Sequence, residues 1–128
     1  MSNRMIVEEL VALVFDAKDL DAAAVLLHGD FVSHNPVIPH DPAERTARDA
    51  FLDFFRTPAG EALIHSESTV RRVIADGELV AVHSSLTRPD GVTVAIVDIF
   101  RLLDGLVVEH WDVVQPVPAT PLNPHGMF

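Results

Sequence analysis

The 128-residue sequence contains no cysteine, no tyrosine and a single tryptophan. Without cysteine there is no disulfide framework, no thiolate nucleophile and no Cys-type zinc site. Basic residues are scarce: 9 Lys+Arg stand against 19 Asp+Glu, a formal net charge of −10. Binding DNA or RNA needs a basic face to meet the phosphates, so this balance counts against a nucleic-acid partner but not against a small neutral or cationic ligand. No apolar run approaches the roughly 18–20 residues of a membrane helix. Glu8 and Glu9 interrupt the N-terminal apolar run before it can act as a signal-peptide core. The expectation is therefore a cytoplasmic protein with no membrane partner. A Gly-rich phosphate loop, a Gly-x-Ser-x-Gly elbow and a His-x-x-x-His zinc spacing are also missing.

What is present argues for a folded domain. Hydrophobic residues make up 48% of the chain, too many for disorder. The length predicts one domain over 1–128, with a tail over 116–128 whose four prolines exclude a central strand or a helix. That tail either packs on its own domain or straps a partner or a pocket mouth. Seven histidines are many for this length.

The hydrophobic period divides the chain. Ile6, Val7, Leu10, Val11, Leu13 and Val14 form a helical stripe. A second helix is expected over Ala22–Leu27, with Asp19 or Asp21 as cap and Gly29 at its C-terminal end. Asp41-Pro42-Ala43-Glu44 reads as a third helix start, with Ala47, Phe51, Phe54 and Phe55 on one face and Pro58 and Gly60 at its close. A short helical piece near Glu61–Ile64 is a weaker signal. Beyond residue 66 the period becomes two. Four β-rich runs, 69–75, 79–87, 93–102 and 106–115, are joined by three turns containing Asp-Gly. Helices first and a curved antiparallel sheet second give an α+β fold with three N-terminal helices on the sheet.

Asp98 is the most informative residue. It lies inside the apolar run Val94–Phe100, where a carboxylate either finds donors or has its pKa raised, as a general acid/base near neutral pH requires. Pairing with Arg101 is the plain alternative, but residues three apart on a strand point to opposite faces. Across the Asp104-Gly105 turn, Asp98 meets Trp111 if the loop has two residues. It meets His110 if the loop has three and a Gly bulge. The three-residue form fits the Gly slightly better and puts Asp98, His110 and Asp112 on one face. Across Pro89-Asp90-Gly91, either residue 82 or His83 meets Asp98. His34, in the turn-forming His34-Asn35-Pro36, is held at a chain reversal. A non-local trio of His34, His83 and His110 could bind a metal, but the expected site contains none. His28, His40, His65 and His125 read as surface residues.

Together, His34-Asn35-Pro36, Val97-Asp98-Ile99-Phe100-Arg101, the Asp104-Gly105 turn and Val108–Gln115 resemble the SnoaL-like polyketide cyclase family, within the nuclear-transport-factor-2-like superfamily that also holds ketosteroid isomerase. The resemblance covers nearly the whole chain. It implies a conical α+β (cystatin-like) fold, a homodimer and a cofactor-free pocket for a small molecule. It also implies that a strand aspartate, matched by Asp98, moves a proton for aldol ring closure with help from a histidine. His83 approximately matches that histidine, and His110 is the other candidate. The expected binding set is His34, Asn35, Phe54, Phe100 and Trp111. The tyrosine oxyanion donor of ketosteroid isomerase has no counterpart here. The leading expectation is cofactor-free proton transfer on a carbonyl compound, of aldol-cyclisation or isomerisation type. The alternatives are a non-catalytic ligand-binding or dimerisation module of the same fold and a metal-assisted hydrolase or lyase.

Overall fold

The computed structural model describes residues 1–128. Helix α1 spans Asn3–Phe15, α2 Leu20–Val25, α3 Ala47–Phe54 and α4 Pro58–Ile64. The strands are β1 (Leu27–Ser33), β2 (Glu67–Asp76), β3 (Leu79–Thr87), β4 (Thr93–Leu103) and β5 (Leu106–Pro116). They form one mixed sheet in the order β1-β5-β4-β3-β2. The last four strands are antiparallel neighbours, while β1 runs parallel to β5 at the edge.

Each helix begins where a short polar side chain satisfies an orphan backbone N–H. Ser2 accepts from Met5, Asp19 from Ala22, Thr46 from Asp49 and Thr57 from Gly60. The helices cover one face of the sheet. Ile6, Val7, Leu10 and Val14 of α1 pack with Phe31, Val80, Val82, Phe100, Leu102 and Val107 of the strands. Val7, Val80 and Val107 lose all solvent exposure, each worth on the order of 1.5–3 kcal/mol of burial. This inner face also carries Asp98, which is paired with Val82 two residues from Phe100.

Three local expectations need correction. Gly29 does not end a helix: α2 stops at Val25, and Gly29 lies within β1 without a left-handed backbone. Only Leu27 and Phe31 of this strand are buried, and its pairing with β5 shifts between Leu27 and Val32, so no clean alternation marks it. Asp41 does not cap α3. Its carboxylate accepts from the Ala43 N–H, closing a local turn, and the residue that caps the helix is Thr46, five residues later. Pro58 opens a fourth helix rather than closing the third, because Thr57 caps it and Pro is tolerated in a first turn. The sheet is accordingly mixed and carries four helices.

The hairpin between β4 and β5 positions the site. Leu103 pairs with Leu106, so Asp104-Gly105 is a two-residue loop, and both residues are left-handed (φ 52° and 77°) as a type I′ turn demands. The preferred three-residue loop is therefore incorrect. The extra residue comes further along: Leu102 pairs with Val107 but Arg101 pairs with Glu109, leaving Val108 as a bulge. The tail turns back onto its own domain, with the Phe128 ring against His83 and beneath the Arg71 guanidinium.

Gly60 is a tight contact. A Cβ there would collide with the Phe54 carbonyl and stand 2.5 Å from the Phe55 Cα, whereas one at Gly29 would meet nothing within 4 Å. Gly60→Ala is expected to destabilise by roughly 1–3 kcal/mol in chemical denaturation, and Gly29→Ala to change stability by about 0.5 kcal/mol or less.

Candidate functional site

His110 stands at the centre of the inner face, 6% exposed. Its Nε2 lies 2.8 Å from Asp98 Oδ1 and its Nδ1 lies 3.0 Å from Ser33 Oγ. Phe100, its direct cross-strand neighbour, places its ring 5.0 Å away, and Phe51 from α3 closes the other side at 6.0 Å. Asp112 sits directly opposite Asp98 on β5, and its Oδ2 accepts a 2.7 Å hydrogen bond from Asn35 Nδ2. Neither Asp98 Oδ2 nor Asp112 Oδ1 hydrogen-bonds to the protein. The Asp98 side chain is 21% exposed. Two carboxyls thus present free oxygens together, one backed by an imidazole and the other by an amide.

Burial raises the Asp112 pKa above its ordinary value. The nearby His110 and the Asn35 hydrogen bond oppose the shift, and the Asp98 charge adds to it. Like charges on facing strands in a half-dry site disfavour two full ionisations.

The structure brings together only part of the expected set. Asp98, His110, Asn35 and Phe100 meet as described. His83 does not reach Asp98. Thr87 pairs with Thr93 across a five-residue loop, which puts Val82 opposite Asp98 and His83 opposite Val97. His83 therefore lies on the outer face, bonded to Arg72. Trp111 is displaced to the same face by strand parity. His34 joins it there, its ring stacked on the indole at 5.1 Å and its Nε2 2.8 Å from Glu109 Oε2. Arg101 donates to the other oxygen of that carboxylate at 2.9 Å and makes no ion pair with Asp98. Phe54 packs on Phe55 and the core; Phe51, one turn earlier, is the α3 ring at the site. Ser33 and Asp112 were absent from the expected site. Asp112 was legible as a polar residue sharing the Asp98 face. Ser33 carried no signal, because the strand that aims it was not recognised.

The trio His34, His83 and His110 is split between two faces and cannot share a metal. Asp98, His110 and Asp112 do offer ligand atoms within 4.8 Å of one another. Both imidazole nitrogens already face Ser33 and Asp98, so a cation at Nε2 would have to displace the Asp98 hydrogen bond.

These surroundings set the pH dependence of stability. The raised Asp112 pKa makes its contribution greatest below the ordinary aspartate pKa and loses it as pH rises through the folded value. Asp112→Asn, which can still accept from Asn35, should flatten that loss and gain stability relative to wild type at neutral pH. Glu109 behaves oppositely. Hydrogen bonds from His34, then Arg101, hold its pKa below the usual glutamate value, so its contribution is present above that value and lost below it. Denaturation midpoints of wild type, Asp112→Asn and Glu109→Gln between pH 3 and 8 check both signs.

Comparison with known proteins places this fold. The chain matches a candidate ketosteroid isomerase from Kribbella flavida at 25% identity and a TM-score of 0.71, covering 97% of this chain and 83% of that one. It matches a candidate polyketide cyclase, IdmH, from Streptomyces antibioticus at 21% identity and a TM-score of 0.65, covering 85% and 91% respectively. A computationally designed 17-OHP binder shares the fold at 16% identity and a TM-score of 0.70, covering 88% and 94%. No curated protein matches the sequence. The SnoaL-like domain model aligns with residues 7–110, a span that includes β1, the β4 aspartate and His110, and the chain belongs to the SnoaL-like domain family.

Proposed function

We propose that the protein is a cytoplasmic, cofactor-free acid/base enzyme acting on a small carbonyl compound, in a reaction of the aldol-cyclisation or isomerisation type. The observation that carries this reading is the facing pair Asp98 and Asp112, each with one oxygen free of protein partners and each supported differently. Asp98 Oδ2 takes the proton from the carbon next to the carbonyl, while His110 Nε2–H steadies Oδ1. The electron pair moves onto the carbonyl oxygen. In its protonated form, which burial makes easier to reach, Asp112 donates a hydrogen bond to that developing oxyanion, the role a preorganised donor plays in such sites. With no tyrosine in the chain, no phenol can take this part. The enolate carbon then attacks a second carbonyl, whose oxygen takes the electron pair and then the proton held by Asp98, or Asp98 returns the proton to another carbon. Phe51 and Phe100 give the substrate an apolar wall beside His110.

The family match and the candidate isomerase and cyclase among similar structures support this class of chemistry. Two copies are proposed to pair through the outer sheet face, where Val32, Val97 and Val113 remain exposed. The test is deuterium wash-in at the α-carbon of a panel of neutral steroid enones and polyketide esters, read by mass spectrometry. Wild type should exchange, and Asp98→Asn should slow exchange about 100-fold or more, as loss of a general base does, with an unchanged melting temperature. Equal exchange by the variant would remove Asp98 from the role. Binding without exchange by either protein would favour a ligand-binding module, the function of the designed 17-OHP binder of this fold.

A further inference from the structure

We infer that Ser33 is a positioning residue that fixes which nitrogen of His110 carries the proton. The inference rests on the proton-transfer reading for its chemical consequence, but the geometry behind it is independent of any substrate. Ser33 Oγ has two neighbours. The Asn35 backbone N–H donates to it at 3.3 Å, and His110 Nδ1 lies 3.0 Å away. An oxygen that already accepts the Asn35 N–H is left with its own hydrogen to place, and Nδ1 is the only other polar partner in reach. The hydroxyl therefore donates to Nδ1, which must present a lone pair. That puts the single ring proton on Nε2, where it is donated to Asp98 Oδ1 at 2.8 Å. A carboxylate can only accept, so both ends of the ring require the same tautomer.

The aim of Ser33 comes from the backbone. Ser33 is the last residue of β1 and pairs with His110. The next residue, His34, donates its N–H to the His110 carbonyl at 2.8 Å. Its ring leaves toward the outer face, where Trp111 and Glu109 hold it. Asn35 then returns to the inner face to hold Asp112, and its side-chain oxygen accepts from the Val37 N–H. Ser33 thus orients the partner of Asp98, Asn35 is itself the partner of Asp112, and His34 pins that segment from behind. His34 takes part in the site by anchoring the chain, not by meeting the substrate.

The consequence for proton transfer is specific. With Nε2–H committed to Oδ1, the Asp98 carboxylate is held in one orientation, and its Oδ2 is the oxygen that receives a proton. If the ring proton moved to Nδ1, Nε2 would face Asp98 as a lone pair, and two acceptors would oppose each other at hydrogen-bond distance. Asp98 would then have to swing away or take up a proton of its own, and either change removes the base.

The test is long-range 1H–15N NMR of the imidazole at neutral pH in the full-length protein, with Ser33→Ala and Ser33→Thr compared to wild type. The wild-type His110 ring should show one protonated nitrogen, Nε2, and an unprotonated Nδ1. Ser33→Thr keeps the hydroxyl and should keep this pattern. Ser33→Ala removes the donor that keeps Nδ1 unprotonated and should let a second proton onto that nitrogen, giving a wholly or partly doubly protonated ring. The imidazolium beside Asp98 should weaken that base and slow α-carbon exchange at least 10-fold in kcat with KM little changed. A wild-type ring with a proton on Nδ1, alone or together with Nε2, overturns the inference without any variant. A Ser33→Ala ring that keeps the wild-type pattern also overturns it and leaves the roles of Asp98 and Asp112 untouched. A Ser33→Ala ring that gains a proton on Nδ1 with no change in exchange supports the inference and contradicts the proton-transfer reading.

Discussion

One inserted residue governs the site. Val107 faces the core, fully buried. An unbroken ladder from the two-residue Asp104-Gly105 turn would put Trp111 opposite Asp98, with His110 and Asp112 turned to the outer face. The bulge at Val108 shifts the register so that Arg101 meets Glu109, Phe100 meets His110 and Asp98 meets Asp112. Side chains alternate strictly along a strand, so a shift of one residue exchanges its faces. The bulge thus delivers two polar side chains to an otherwise apolar surface and sends the indole outward. It also separates the chain's polar residues into two clusters. Inside are Ser33, His110, Asp98, Asp112 and Asn35; outside are His34, Glu109, Arg101 and Trp111.

The inner cluster is arranged so that its burial is tolerated. No buried side-chain nitrogen or oxygen lacks a hydrogen-bond partner, which matters because an unsatisfied buried group costs on the order of 1–3 kcal/mol. Asp112 is the exception in energy, though not in hydrogen bonding. It keeps a partner but resists ionisation, and the fold carries that expense at neutral pH. A carboxyl that ionises reluctantly opposite one bonded to an imidazole is a poor device for stability and a suitable one for moving a proton. The outer cluster has the reverse character. There a carboxylate between His34 and Arg101 ties the β1 end to β4 and β5 by favourable charge.

Much of the fold was legible because its signals are local. The run at 79–87 agrees with β3 residue for residue, and the other three late strands extend the expected runs by one to three residues. These segments are rich in β-branched residues and are joined by three turns that each contain Asp-Gly. β1 was illegible because only two of its seven residues are buried and its partner is a strand some eighty residues away. The face shared by Asp98, His110 and Asp112 was foreseen, but by a different route. A wide loop was expected at Asp104-Gly105, whereas a tight loop and a later bulge give the same parity. For His83 the sequence left two registers open, and the five-residue loop chose the one that turns it outward. Ser33 and Asn35 act across the β1–β5 pairing, which no periodicity records. The family resemblance identified Asp98 as the aspartate of interest. The companion carboxyl, Asp112, could be placed on the same face, but its burial and its bond to Asn35 emerge only from packing.

The fold holds Asp112 as the reluctant carboxyl opposite Asp98. The most direct measurement is a 13C NMR titration of the Asp112 carboxyl in the folded protein. The midpoint should lie above the usual aspartate value of about 4 and move downward in Asp98→Asn as the like charge across the sheet is removed. A midpoint at or below the ordinary value would contradict it.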